Sequence, residues 1–283
     1  KGGNSDETPD RWAFRYGAQG RSGFGDEVSI CPPRRDNSLH SWGARSLQIL
    51  RDVFQVGGSL NGMTWTGNDA SYDDGSTYVL RTGEGLVLFD CGRGDTLDQI
   101  FSHMSYWDLS PDDIRACFLT HAHLDHAGAA YLLKERGVEL YAHANTADAV
   151  AAGDERCCGY LYHSEFVPCQ IQNRLHDHDV VDILGIEITV MHLPGHTQGC
   201  TAYVFDHEGR TVVVSGDIIG TLLDGYFGWS GSWDFDKQVY LESLRRFAKF
   251  DSDIMLPGHG MIYFHKPRRR VEEAFNEALV QWR

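Results

Sequence analysis

No stretch of this 283-residue chain approaches the roughly 18 to 20 consecutive apolar residues that a membrane span requires, so the expectation is a soluble protein without a membrane partner. No basic-then-apolar leader opens it either; the chain starts at Lys1 rather than Met, which leaves a processed product open, and the expected compartment is the cytoplasm. Basic side chains are scarce, 25 Lys and Arg against 40 Asp and Glu, and the resulting charge of −15 repels polyanions, so nucleic acid is not an expected partner. The seven cysteines, Cys31, Cys91, Cys117, Cys157, Cys158, Cys169 and Cys200, never fall into C-x-x-C spacing. That pattern argues for free thiols in a reducing compartment rather than a disulfide framework or a zinc ribbon. What remains is a globular composition, 42% hydrophobic, able to bury a core around a small-molecule site, with the oligomeric state left open.

Residues 1–45 are rich in Gly, Arg, Asp, Ser and Pro with little periodicity and read as an N-terminal extension; residues 46–283 read as one catalytic domain. Within that domain, short apolar and often β-branched runs mark strands at 86–90, 116–120, 138–142, 186–193, 201–205, 211–214 and 254–256. His207-Glu208-Gly209-Arg210 marks a hairpin between two of them. Helical periodicity covers 97–106, 127–136, 237–250 and 268–282; in the third, Val239, Leu241, Leu244, Phe247 and Ala248 form the apolar stripe. Two sheets sandwiched between helices, an α/β architecture, is the expected fold.

His121-Ala122-His123-Leu124-Asp125-His126 packs three imidazoles and a carboxylate into six residues, short enough to converge on one or two cations. The strand ending at Thr120 sends His121 and His123, two apart, to the same side of an extended backbone, and the turn into a helix near Ala127 brings Asp125 and His126 from another direction. Three more candidate ligands follow tight-turn signals: His196 in Pro-Gly-His-Thr, Asp217 in Ser-Gly-Asp and His259 in Pro-Gly-His-Gly. Imidazole and carboxylate suit zinc, and also iron or manganese, and the absence of cysteine from the run argues against a closed thiolate site. Gathering so many ionisable groups in one cleft requires a compensating cation.

These motifs, with the Asp90 that ends Leu-Phe-Asp-Cys-Gly, resemble the metallo-β-lactamase superfamily from about Val53 to His259. The resemblance implies an αβ/βα four-layer sandwich and two divalent metal ions, with His121, His123 and His196 on the first, Asp125, His126 and His259 on the second, and Asp217 bridging. It gives Asp90 the task of orienting a ligand histidine, and Gly195 and Gly258 that of allowing the turns that aim the next histidine. The implied activity is hydrolysis of an ester, thioester or lactone by a metal-bound hydroxide, with Asp125 as the catalytic proton shuttle. True lactamases of this superfamily usually lack an aspartate at the position of Asp217, and flavodiiron reductases carry Glu in place of His123, so both are disfavoured. The set resembles glyoxalase II-like thioesterases, lactonases and tRNA-processing nucleases, the last disfavoured by the acidic charge. A true glyoxalase II is disfavoured by the 24 residues after His259, too few for its glutathione-holding region. The alternatives are a phosphodiesterase or a persulfide dioxygenase-like oxidoreductase holding one iron on His121, His196 and Asp217. A noncatalytic scaffold is disfavoured by the complete ligand set.

Specificity is expected from loops at 61–74, 153–173 and 221–233, with Trp65, Tyr72, Tyr160, Tyr162, Tyr226, Phe227, Trp229 and Trp233 as wall residues for an apolar or ring-bearing acyl group. Other motifs are discounted. His176-Asp177-His178-Asp179 reads as a solvated loop without distant partners, His143 and His192 as structural histidines, and Arg93-Gly94-Asp95 as turn chemistry. The basic run Lys266, Arg268, Arg269 and Arg270 reads as a solvated helix start, and Cys157-Cys158 as unreactive thiols.

Overall fold

The computed structural model describes residues 46–58, 74–220 and 227–282. The proposed extension 1–45 and the wall residues Trp65, Tyr72 and Tyr226 lie outside the described residues. A seven-stranded sheet runs in chain order: β1 Leu47–Leu50, β2 Val53–Gln55, β3 Tyr78–Arg81, β4 Leu86–Phe89, β5 Ile114–Leu119, β6 Glu139–His143 and β7 Asn173–Leu175. Its first four strands pair antiparallel and the rest parallel. The second sheet has the order β12-β11-β10-β9-β8, from β8 Val180–Ile183, β9 Ile186–His192, β10 Thr201–His207, β11 Arg210–Gly216 and β12 Ile254–Pro257. In that sheet β11 and β12 are parallel and the other pairs antiparallel.

Alternation along the strands builds the layers. In β4, Val87 and Phe89 point into the core between the sheets, where they meet Tyr203, Phe205 and Val214, while Leu86 and Leu88 point outward. There they pack with Ile100 and Met104 of α1 (Leu97–Tyr106), Leu133 of α3 (Ala130–Glu135) and Val150 of α4 (Ala144–Ala152). The second sheet's outer face, Ala202, Val213 and Met255, is covered by α5 (Lys237–Phe247) and α6 (Pro267–Gln281) through Tyr240, Leu244, Phe247, Val271 and Ala274. Strands covered on both faces read as continuous apolar runs, which is why β4 and β5 stand out in the sequence. The result is the expected four-layer α/β sandwich, and among the described residues no helix is long and apolar enough to cross a membrane.

The hairpin forms as expected, with Glu208 at φ 53° and Gly209 at φ 76° between the paired His207 and Arg210, the two positive angles of a turn that follows the twist of its strands. Other boundaries moved. The helix expected over 127–136 is two pieces, α2 (Leu124–Ala127) and α3, because the Gly92–Gly94 turn packs against the chain there and the Ala129 amide donates to the Gly92 carbonyl at 3.1 Å. Asp125 and His126 therefore lie inside a helical turn, not before one. In α5, Tyr240 rather than Val239 is the buried residue, its hydroxyl donating to the Ile218 carbonyl at 2.7 Å.

Candidate metal centre

Five strand ends point to one edge of the sandwich. Asp90 follows β4, His121 and His123 follow β5, His196 follows β9, Asp217 follows β11 and His259 follows β12, each just past the C-terminal end of its strand. Cross-sheet bonds hold that edge together, among them the Tyr203 hydroxyl donating to the Leu119 carbonyl at 2.8 Å, the Thr201 amide to the Thr120 carbonyl at 3.0 Å and the Tyr78 hydroxyl to the Pro257 carbonyl at 2.7 Å. All seven ligands expected from the sequence converge there. His121, His123, His196 and Asp217 offer donor atoms within 4.8 Å of one another, and Asp125, His126 and His259 form a second such group.

The Asp217 carboxylate lies between the groups. Its Oδ2 is 3.9 Å from His121 Nε2, 3.6 Å from His196 Nε2 and 3.5 Å from His259 Nε2, and its Oδ1 is 3.4 Å from His126 Nε2. Asp125 Oδ2 is 3.0 Å from His259 Nε2, and His126 Nε2 is 3.2 Å from His259 Nε2.

Hydrogen bonds behind the site decide which nitrogen each ring presents. Asp90 Oδ1 accepts from the Thr120 amide at 2.7 Å, and its Oδ2 accepts from Thr120 Oγ1 at 2.7 Å and from His126 Nδ1 at 2.8 Å. With its proton given to Asp90, Thr120 Oγ1 accepts from His121 Nδ1 at 3.0 Å. His196 Nδ1 donates to the Trp229 carbonyl at 2.7 Å. On His121, His126 and His196 the Nε2 lone pair is thus turned inward, as a metal ligand requires. His123 instead presents Nδ1, 3.2 Å from His196 Nε2. Thr120 and the Trp229 carbonyl were not singled out from the sequence; only the position of Thr120 beside the histidine run hinted at a role.

Gly195 has φ 139°, and a side chain there would overlap the backbone of Tyr240. Gly258 owes its glycine to a different cause from the expected turn: a Cβ there would overlap Asp217 Oδ1 and stand 2.8 Å from the His126 ring.

Electrostatics describe a site that draws positive charge. Burial, with the neighbouring His126 and His123, holds the His121 imidazole well below its usual range, and burial with His196 lowers His123 to about 3. Burial opposes ionisation of Asp125 and Asp217, yet His126 and His259 hold both carboxyls well below the usual range. His126 rises well above its usual value despite burial, because Asp125, Asp217 and Asp90 surround it. His121 Nε2 and Asp217 Oδ1 are buried with no hydrogen-bond partner. Unpartnered buried lone pairs in these groups fit divalent cations in their midst.

A cavity of about 370 Å³ opens on this edge, lined by His123, Asp125, His196, Asp217 and His259 and walled by Leu161, Tyr162, Ile219, Phe227 and Trp229. A larger groove of about 1060 Å³ lies where β11 and β12 begin, at Thr211 and Ile254, and holds none of the seven groups. Tyr162, Phe227 and Trp229 thus line the cavity as expected, Tyr160 and Trp233 do not, and Leu161, Ile219 and Cys158 join the walls. Burial raises the Cys157 thiol to about 12 and also lifts Cys158, so both are held as thiols.

Two discounted motifs need correction. Asp177 has a distant partner after all: Arg246 of α5 grips it at 2.7 and 3.0 Å. Arg270 is not solvated but buried, donating to the Gly220 carbonyl, whereas Arg268 and Arg269 pair at the surface with Glu272 and Glu273. His143 and His192 stack with ring centres 3.6 Å apart; His143 Nδ1 accepts from the Asn145 amide at 3.2 Å and His192 Nε2 donates to the Gln198 carbonyl at 2.9 Å. Burial, with His192 and His176 nearby, lowers His143 from 6.5 to about 4 against the opposing pull of Asp177. As pH falls from 6.5 toward 4 the unfolded chain takes up this proton first, so stability is full above that window and lost within it. His143→Asn keeps an acceptor for the Asn145 amide and is expected to flatten the fall in apo-protein Tm between pH 6.5 and 4; an unchanged slope would contradict the assignment.

The chain is 28% identical over 192 residues to acyl-coenzyme A thioesterase MBLAC2 of Bos taurus, covering 58% of this chain and 66% of that protein. It is 28% identical over 177 residues to the hydroxyacylglutathione hydrolase GloC of Haemophilus influenzae, 59% of this chain and 77% of that one. An uncharacterised protein of Aquifex aeolicus is 32% identical over 117 residues, and the chain spans only 51% of its length. Among solved structures, a metallo-beta-lactamase HARLDQ motif mutant from Cronobacter sakazakii superposes with a TM-score of 0.67 at 21% identity, over 84% of this chain and 96% of that one. The class B3 di-zinc enzyme LRA-12 from an Alaskan soil metagenome gives 0.66 at 21%, over 84% and 92%. At such identities these structures speak for the fold. The family model for the metallo-beta-lactamase superfamily matches residues 71–259, well over half of the sequence and a span that runs from before Asp90 to His259, and the chain therefore belongs to that superfamily.

Proposed function

We propose that the chain is a hydrolase of esters, thioesters or lactones working with two divalent cations, zinc being the best match to its nitrogen and carboxylate donors. His121, His123 and His196 would hold one ion, Asp125, His126 and His259 the other, with Asp217 shared. The observation that carries this reading is the Asp217 carboxylate, which faces members of both groups, Oδ2 facing His121, His196 and His259 and Oδ1 facing His126. When bound, such a pair supplies Lewis acidity and brings the pKa of water from 15.7 to about 7. The chain's own groups do the rest. Asp90, Thr120 and the Trp229 carbonyl keep the imidazoles in one tautomer. Asp125, buried at the cavity floor, holds the proton on its way from the attacking water to the leaving group. The walls exclude bulk water and seat the acyl group.

The thioesterase named among the relatives and the hydroxyacylglutathione hydrolase both support a thioester as first choice. The test is a screen of metal-replete protein over thioesters, aryl esters, lactones and phosphodiesters, with metal analysis alongside. Two equivalents of divalent metal and chelator-sensitive acyl hydrolysis are expected. One equivalent of iron with thiol-dependent oxygen uptake would favour the persulfide dioxygenase alternative, and phosphodiester turnover alone would favour a nuclease.

A further inference from the structure

The cavity has a floor of metal-site groups and walls of another kind. Leu161, Ile219, Phe227 and Trp229 are apolar, Tyr162 presents a ring, Ser230 and Gln281 are polar but uncharged, and among the described lining residues there is no lysine or arginine. Among the described residues, two guanidinium groups stand next to lining residues without lining the cavity themselves. Arg93 lies 5.4 Å over the Tyr162 ring and binds Asp95 at 2.9 Å, and Arg270 donates to the Gly220 carbonyl. Leu161 and Trp229, which line the cavity, keep 46 and 47% of their surface exposed, and Tyr160, whose hydroxyl lies 3.6 Å from Cys158 Sγ, keeps 49%. Large apolar side chains left in water beside a cleft mark a surface that a ligand covers.

Resting on the hydrolase reading, we infer that the acyl group cleaved here is uncharged and apolar, an aliphatic chain or an aromatic ring lying against Leu161, Phe227 and Trp229, and that acyl groups ending in a carboxylate are rejected. A carboxylate carried past the metal site would be stripped of water between apolar walls, with no lysine or arginine among the described lining residues to receive it. An apolar chain gains from the same walls with every methylene it buries.

The experiment uses the full, metal-replete chain and thioesters sharing one uncharged leaving group, N-acetylcysteamine: acetyl, pentanoyl, octanoyl, phenylacetyl and glutaryl. Pentanoyl and glutaryl match in length and differ in the terminal carboxylate. The expected result is a rise in kcat/KM of roughly 100-fold from acetyl to octanoyl or phenylacetyl, and glutaryl roughly 100-fold below pentanoyl. Leu161→Lys is expected to narrow the pentanoyl-to-glutaryl ratio by at least about tenfold, because it supplies the missing cation. Equal rates for pentanoyl and glutaryl, or a flat response to chain length, would overturn the inference while leaving acyl hydrolysis in place. If no thioester, ester or lactone turns over, the hydrolase reading fails by itself. Ligand-observed NMR with pentanamide and glutaramate then decides the pocket: binding of pentanamide alone supports the inference, and glutaramate binding as well or better overturns it.

Discussion

Alanine at position 217 is expected to empty both donor groups together and to lower kcat/KM by roughly 10³-fold or more, since water without a cation keeps a pKa near 15.7. The expectation follows from the geometry of one carboxylate. Its oxygens stand within 3.4 to 3.9 Å of His121, His196, His126 and His259, so its loss removes a ligand from each group and the negative charge that balances them. A residue serving only one group would cost only one equivalent of metal. Metal analysis separates these outcomes, and near-normal metal content and turnover would contradict the shared position. His178→Ala is the control. That histidine is exposed in the loop that Arg246 anchors through Asp177, and its loss should leave metal content unchanged.

The second large effect is expected at Asp90, which touches neither donor group's centre directly. Asp90→Ala leaves three buried donors, the Thr120 amide, Thr120 Oγ1 and His126 Nδ1, without their acceptor. A cost of roughly 3 kcal/mol or more follows from about 1 to 3 kcal/mol for each such group. Asp90→Asn divides the structural role from the orienting one. Its oxygen can still accept from the Thr120 amide, but its NH₂ faces His126 Nδ1 and favours the tautomer with the proton on Nε2, the atom needed for a cation. Most of the apo-protein Tm should return, while metal affinity at the His126 group stays about 10- to 100-fold weakened. An asparagine variant that binds metal like the parent would show that Asp90 does not set the ring.

The two experiments probe different distances from the chemistry, and the sequence disclosed those distances unequally. The seven donors were legible because local rules place them: alternation carries His121 and His123 to one side of a strand end, and Pro-Gly or Ser-Gly turns precede His196, Asp217 and His259. Helix α1 was legible to the residue, since its periodicity is not interrupted. Strands β1, β2, β3, β7 and β8, of three or four residues each, and helix α4 were not singled out. Unlike the equally short β4 and β12, which lack polar residues, each of these strands includes at least one, and its pairing is fixed by its neighbours rather than by its own pattern.

From the sequence alone came the two-sheet sandwich, the donor residues and the turns that deliver them, because periodicity and turn preference act over a few neighbouring residues. Tertiary structure alone decided that Thr120 and the Trp229 carbonyl choose the tautomers and that Gly258 is small for the sake of Asp217. It likewise decided that Asp177 finds Arg246 and that Arg270 is buried against Gly220. Each of these joins groups far apart in the chain. Their partners are set by which strand ends the closed sandwich brings to one edge, and no local window of sequence contains that information.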